Sequence, residues 1–283
     1  MIPRSVAARQ AALFTGLVFA AEVVLALLFP GRDGPAPLLS ILVPTLAVVV
    51  ITFGFTRRGH RREIWAGVGF NRPGWRLWPA ALALPAAVVL IPYLVAWAAG
   101  LVRFHELALT LPDLFLEAVV FTVVILGEEI GWRGFLLPRL QSLLPRRRAA
   151  LATGFLHGLF HVPILTLTAS YDTDGSRWVV TPVVVLAITF AGVFYAWLRD
   201  ASASIWPVAV AHNMVNTALD YLSTTAVTAS PVALAYIAGE SGLVTLAAIA
   251  AVAAWLLVGP YRRKATATTV PRAVEPTGQV LTA

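Results

Sequence analysis

Three charged side chains interrupt a long apolar stretch of this chain. Glu128, Glu129 and Arg133 lie in GEEIGWRGFLL, directly after LFLEAVVFTVVIL. Each costs roughly 2.5–3.5 kcal/mol at the centre of a membrane helix, so their types and spacing call for an explanation. Glu129 and Arg133 are four apart with the acid first, the favourable order for a pair on one helix face. Such a pair neutralises Arg133 and leaves Glu128, about 100° further round the helix, free for chemistry. Other polar residues fall in later apolar runs: His157 and His161, then His212, Asn213 and Asn216. His157 and His161 share one helix face by their spacing, as do His212 and Asn216. A carboxylate in a dry pocket is a stronger proton acceptor than one in water and suits a general base acting on a water molecule. Imidazoles and an amide supply what hydrolysis of a peptide bond needs next: metal ligands, donors to an oxyanion, or an acid for the leaving amine. Taken singly, a buried His or Asn serves equally well as interhelical glue, and Glu129–Arg133 alone serves as a packing bridge.

Whether these residues meet depends on the helices that carry them. Of the 283 residues, 59% are hydrophobic and 12% charged, and mean hydropathy is +0.80. Soluble domains carry about twice that share of charge, so the composition predicts an integral membrane protein, all-α, a polytopic bundle of about eight transmembrane helices. The apolar runs fall near 11–29, 37–55, 78–99, 112–136, 149–168, 179–198, 203–222 and 240–258, each near the ~20 residues that cross a bilayer. The arginines gather at alternate connections: Arg4 and Arg9, then Arg57 to Arg76, then Arg139 to Arg148, Arg199, and the tail after Tyr261. By the positive-inside rule both termini are cytoplasmic. The net charge of +7 then reads as a topology signal and a grip on anionic lipid, with the lipid bilayer and no nucleic acid as partner. Cysteine is absent, which excludes disulfides and thiolate metal sites. The loop 56–78, with Trp and Phe among its arginines, is either a short amphipathic segment in the interface or a solvated basic loop. The chain divides into 1–110 (three helices and the basic loop), 111–222 (the core), 223–260 (the last helix) and a disordered tail, 261–283.

Helical rise places Glu128 roughly 15 Å, His161 roughly 18 Å and His212 roughly 15 Å from the cytoplasmic ends of their three helices. One depth on three helices predicts one site. Glu22 and Glu117, deep in the first and fourth runs, are expected to be structural.

The pattern E-E-x-x-x-R (Glu128, Glu129, Arg133), His161-Val-Pro, and H-x-x-x-N (His212, Asn216) resembles the three motifs of the CPBP intramembrane proteases, the CAAX-protease and bacteriocin-processing (Abi) family, over roughly residues 110–222. The resemblance implies an eight-helix bundle with a site inside the membrane, reached from the cytoplasm. It implies an intramembrane endopeptidase that cuts a membrane-associated or lipid-modified protein or peptide in a bacterial inner (plasma) membrane. Glu128 matches the water-activating glutamate, His161 assists it, and His212 with Asn216 binds a metal or stabilises the oxyanion, with Glu129 and Arg133 supporting. The family is usually classed as metallopeptidases, so a divalent ion such as zinc, on His161 and His212, is one implication; a metal-free glutamate mechanism is the other. The second motif is F-x-x-x-H in the family, and with His161 as its His the Phe position holds His157, read as a third imidazole for a metal or an aromatic-sized filler, the filler favoured.

Two further functions fit buried acids and histidines: an ion-coupled transporter, and a non-catalytic binding protein of the bacteriocin-immunity type. The transporter reading lacks repeated halves and matched broken helices.

Overall fold

The computed structural model describes residues 2–31, 34–105, 111–169 and 174–261, without the side chains of 111–114 and 117. The tail beyond Tyr261, the Glu117 side chain and part of the polar turn at 170–177 lie outside them. In chain order the helices are α1 (Arg4–Leu28), α2 (Ala36–Val50, prolonged by a π turn, Ile51–Phe55), α3 (Arg58–Val68), α4 (Trp78–Ala98), α5 (Leu111–Glu129, running into a π segment, Ile130–Leu136), α6 (Leu137–Leu143), α7 (Arg146–Phe160), α8 (Val162–Leu167), α9 (Arg177–Ser202), α10 (Trp206–Thr225), α11 (Pro231–Ile237) and α12 (Leu243–Val258). Two short strands, β1 (Arg103–Phe104) and β2 (Ala226–Val227), pair antiparallel.

Helix occupies all eight predicted places, and the bundle is helical as expected. Among the described residues five helices are long and apolar enough to cross a membrane: Arg4–Leu28, Ala36–Phe55, Trp75–Ala98, Arg146–Leu167 and Arg177–Ser202. The segments bearing Glu128 and His212 are not among the five, and α12 is shorter. A belt of Leu27, Leu28, Leu116, Val123, Trp178 and Trp255 stands exposed, as side chains facing lipid do.

Successive helices reverse direction and give the bundle two ends. At one end Arg4 donates to the Leu143 carbonyl at 3.2 Å and Arg139 to the Gln10 side chain at 2.9 Å. There Gln141 also donates to Asp200 at 3.0 Å and Trp206 to the Phe70 carbonyl at 3.0 Å. Most of the arginines gather here. The opposite end is closed by the β1–β2 ribbon, by Ala169 N–H donating to the Pro30 carbonyl (2.8 Å) and by Ser176 N–H donating to the Tyr236 hydroxyl (2.8 Å).

The basic loop is folded. α3 buries Ile64 and Val68 and exposes Arg58 and Arg62; its apolar stripe packs on the protein, with Val68 against Gly134. The chain leaves α3 through Gly69 (φ 90°), where a Cβ would lie 2.8 Å from the Ala203 carbonyl oxygen. Only glycine combines that positive φ with that approach.

Two glycine pairs set the helices that carry the chemistry. In α7 a Cβ on Gly154 would lie 2.4 Å from the Thr189 carbonyl oxygen, and one on Gly158 2.6 Å from that of Val185. Backbones of α7 and α9 therefore meet directly, the small-xxx-small packing of membrane helices. In α5 and its π segment, Gly127 and Gly131 do the same against α2, where Cβ atoms would fall 2.6 Å from the Ile41 carbonyl oxygen and 2.4 Å from Pro44. Thr45 locks that contact by donating to the Gly127 carbonyl at 2.7 Å.

Candidate active site

The site is built where these two glycine contacts converge. α5 gives way to the π segment immediately after Glu129, whereas a continuous α-helix over 112–136 was expected. Gly131 and Gly134 lie in that wide turn with Pro44, Phe14 and Val68 pressed against them, and π turns of this kind are frequent at functional sites. On the next hairpin, Pro163 at the second position of α8 lacks an N–H and breaks the helix, so His161 stands at the junction between α7 and α8.

The predicted Glu129–Arg133 pair is present. Arg133 Nη1 donates to Glu129 Oε1 at 2.8 Å, and both side chains are fully buried. The same carboxylate oxygen accepts from His212 Nδ1 at 2.7 Å. Arg133 Nη1 also lies 3.2 Å from His157 Nδ1. A guanidinium offers donors only, so His157 Nδ1 accepts and the ring proton sits on Nε2. From there it is donated to Glu128 Oε2 at 2.7 Å. One hydrogen-bonded chain thus runs His212, Glu129, Arg133, His157, Glu128 and ties three helices together. His161 Nδ1 donates to the His157 carbonyl at 3.0 Å, which leaves the Nε2 of a neutral His161 as an acceptor. The His157 ring lies 5.1 Å from that of His161 and 5.8 Å from that of His212.

Glu128, His157, His161, His212 and Asn216 all line one cavity of about 340 Å³, within the size of ligand pockets. Glu128 faces it at 5% exposure, free of Arg133 as the helical spacing predicted. Among the described residues none hydrogen-bonds the Asn216 side chain. Asn213 does not join the site: its amide donates to the Ala118 carbonyl at 2.8 Å and to Thr122 Oγ1 at 3.1 Å. Glu22 is buried on α1 and accepts from Ser40 Oγ at 2.9 Å on each oxygen.

Three features of the site were not legible in the sequence. His157 is not a filler, because it bonds both Arg133 and Glu128; the signal was its place one turn before His161, on the same face. Tyr195 stacks on His212 at 5.3 Å and carries the Arg133 guanidinium 4.9 Å over its ring, and α9 offered no polar motif to mark it. Trp132 packs 4.8 Å from the His157 ring, and only its place within the motif segment pointed to it.

The donor set bears on a metal ion. Ligand atoms of Glu128, His157 and His161 lie within 4.8 Å of one another, close enough for one ion, and one carboxylate with two imidazoles is a zinc-type set. His157 joins that set in place of the expected His212. Residues 110–218 match the family model described as Type II CAAX prenyl endopeptidase Rce1-like. No curated protein matches the chain.

Proposed function

We propose, from the premise that residues 110–218 form a domain of the Rce1-like type II CAAX prenyl endopeptidase family, that this membrane protein is an intramembrane endopeptidase with Glu128 as its general base. The observation that carries the reading is the hydrogen bond from His157 Nε2 to Glu128 Oε2, fixed by Arg133 behind it. A carboxylate held this way at a cavity wall keeps one oxygen oriented by protein and offers the other to a water molecule.

In the reaction, a water in the cavity attacks the carbonyl carbon of the scissile peptide bond and gives its proton to Glu128. Negative charge builds on the carbonyl oxygen, where the Asn216 amide serves as the donor; His212, held by Glu129 through Nδ1, stands beside it on the cavity wall. Collapse of the tetrahedral intermediate breaks the C–N bond, and the proton passes from Glu128, with His161 Nε2 within the same cluster, to the leaving amine. The products are a carboxylic acid and an amine, and Glu128 returns to its starting form. Arg133 positions: it joins Glu129 to His157 and fixes which nitrogen of His157 carries the proton.

A second reading rests on the closeness of the Glu128, His157 and His161 ligand atoms. A divalent ion would be held by these three and would supply Lewis-acid polarisation and an acidified water. For His157 to serve, its Nε2 must give up its proton, and the approach of the Arg133 donor to Nδ1 opposes moving that proton across the ring. We therefore assign His157 to Glu128 and place the catalytic load on the carboxylate. The substrate is a membrane-associated protein or peptide, and the arginine-rich end faces the cytoplasm of a bacterial plasma membrane.

The test uses detergent-purified protein and a library of quenched fluorogenic peptides. Cleavage by the wild type, lost in Glu128→Gln and unaffected by prior chelation with removal of bound metal verified by elemental analysis, is the outcome of the metal-free reading. Loss of cleavage on chelation with recovery on adding zinc selects the second reading. Equal cleavage by the wild type and Glu128→Gln removes both.

A further inference from the structure

We propose that the Tyr195 hydroxyl is a second hydrogen-bond donor to the substrate's carbonyl oxygen, acting beside the Asn216 amide. The proposal rests on the reading of Glu128 as the general base and adds to it a group that no motif marks. Tyr195 stands on α9, is 3% exposed and lines the cavity together with Glu128, His212 and Asn216.

An account of the protons on the cavity wall points to this side chain. His157 spends its Nε2 proton on Glu128 and His161 its Nδ1 proton on the His157 carbonyl. His212 spends its Nδ1 proton on Glu129, so Nε2 of the neutral ring only accepts. Ser40 is engaged with Glu22, and Thr245 Oγ1 is sealed inside the protein. Glu240, like Glu128, offers acceptors when ionised, and the remaining lining residues are apolar. Two groups keep a proton to offer: the Asn216 amide and the Tyr195 hydroxyl. Among the described residues none hydrogen-bonds that hydroxyl. Nor is it one of the sealed polar atoms without a partner, as the Trp132 indole nitrogen is, so it opens onto the cavity that its ring lines.

The helices bring the two donors together. Tyr195 lies nine residues before Ser204, at the turn between α9 and α10, and His212 eight residues after it. Both therefore stand roughly 12–13 Å above that turn, which is why their rings stack at 5.3 Å. Asn216 is one turn higher on the face of His212. Helical side chains lean toward the N-terminus of their own helix. On α9 that tilt carries Tyr195 away from the turn, and on α10 it carries Asn216 toward the turn, so the two converge.

The surroundings suit a donor that keeps its proton. The Arg133 guanidinium lies 4.9 Å over the Tyr195 ring and draws on its π electrons, which makes the O–H a stronger donor. The stack on His212 fixes the ring, so the hydrogen bond forms without reorganisation as charge develops, the condition under which such donors act most strongly. No covalent bond to Tyr195 forms or breaks.

The test is Tyr195→Phe, which keeps the ring, the stack on His212 and the place beneath Arg133. With the fluorogenic peptide that the wild type cleaves, kcat should fall about 10²–10³-fold, as on loss of one oxyanion donor, with KM changed less than about threefold and the unfolding temperature unchanged. Wild-type kcat in the folded variant, or a rise in KM alone, overturns the proposal.

A second measurement dispenses with the base. In the Glu128→Gln background, calorimetry compares binding of acetyl-Leu-Leu-leucinal, whose hydrate is tetrahedral like the intermediate, with binding of the corresponding primary amide. Adding Tyr195→Phe should weaken the aldehyde about two- to tenfold, the scale of one hydrogen bond, and leave the amide unchanged. Equal weakening of both ligands, or of neither, refutes the donor and makes Tyr195 a wall of the cavity. Cleavage that survives in Glu128→Gln would strike the reading of the base instead, and the comparison of aldehyde with amide would still decide on Tyr195.

Discussion

Replacing His157 by phenylalanine separates a working imidazole from a space-filling ring. Phenylalanine keeps an aromatic of similar size against Trp132, whose ring centre is 4.8 Å away, so the fold should survive at a cost of about 1–3 kcal/mol for leaving the buried Arg133 donor without its acceptor. What is lost is the Nε2–H donated to Glu128 at 2.7 Å, a short bond to a carboxylate. Bonds to charged groups are worth about 1.5–3 kcal/mol, and each 1.36 kcal/mol is tenfold in rate. The predicted fall in kcat is therefore about ten- to a hundredfold, with KM nearly unchanged, because the bond orients the base and does not touch the rest of the substrate. His157→Gln retains an amide donor and should recover part of the loss. The assay is cleavage of whichever fluorogenic peptide the wild type cuts, beside thermal unfolding followed by tryptophan fluorescence. Wild-type turnover in a folded His157→Phe protein would refute the assignment and restore His157 to a filler.

Other outcomes follow from the same network. Arg133→Ala strands Glu129 with His212 as its remaining partner and should destabilise by about 3–5 kcal/mol, read as a lowered unfolding temperature. The double replacement Glu129→Leu with Arg133→Met should recover much of that stability while activity stays lost. Asn216→Ala should lower kcat about 10²–10³-fold, as loss of one oxyanion donor does, with no change in unfolding temperature, since no described residue bonds that side chain. Gly154→Leu would drive a Cβ to 2.4 Å from the Thr189 carbonyl oxygen; backbone on both sides leaves little room to yield. It should cost at least the 1–3 kcal/mol typical of an overpacked core and reduce the yield of folded protein.

The places of the helices were legible because membrane spans announce themselves through length and apolarity, and because arginines mark alternate connections. The Glu129–Arg133 pair and the freedom of Glu128 were legible because i,i+4 spacing fixes which side chains share a face. The meeting of Glu128, His161 and His212 followed from counting helical rise along antiparallel helices. The rest depended on contacts between segments far apart in the chain. The bond from Arg133 to His157 joins residues 24 apart, and nothing local distinguishes that imidazole from a ring that fills space. The π segment over Ile130–Leu136 arises where Pro44 and Val68 crowd Gly131 and Gly134, so its cause lies on other helices. The glycine pairs 127/131 and 154/158 were visible as letters, but their partners on α2 and α9 were not.

The central claim is that Glu128 hydrolyses peptide bonds of membrane-associated proteins. The most direct measurement compares N- and C-terminal peptides, by mass spectrometry, from cells expressing the wild type and cells expressing Glu128→Gln at matched level. Glu128→Gln preserves the shape of the side chain and an acceptor for His157, so the bundle should fold. The account predicts new protein termini that occur with the wild type and vanish with Glu128→Gln. Identical termini in the two cell populations, with the variant shown to be folded and inserted, would contradict it and turn attention to a carrier or a binding protein.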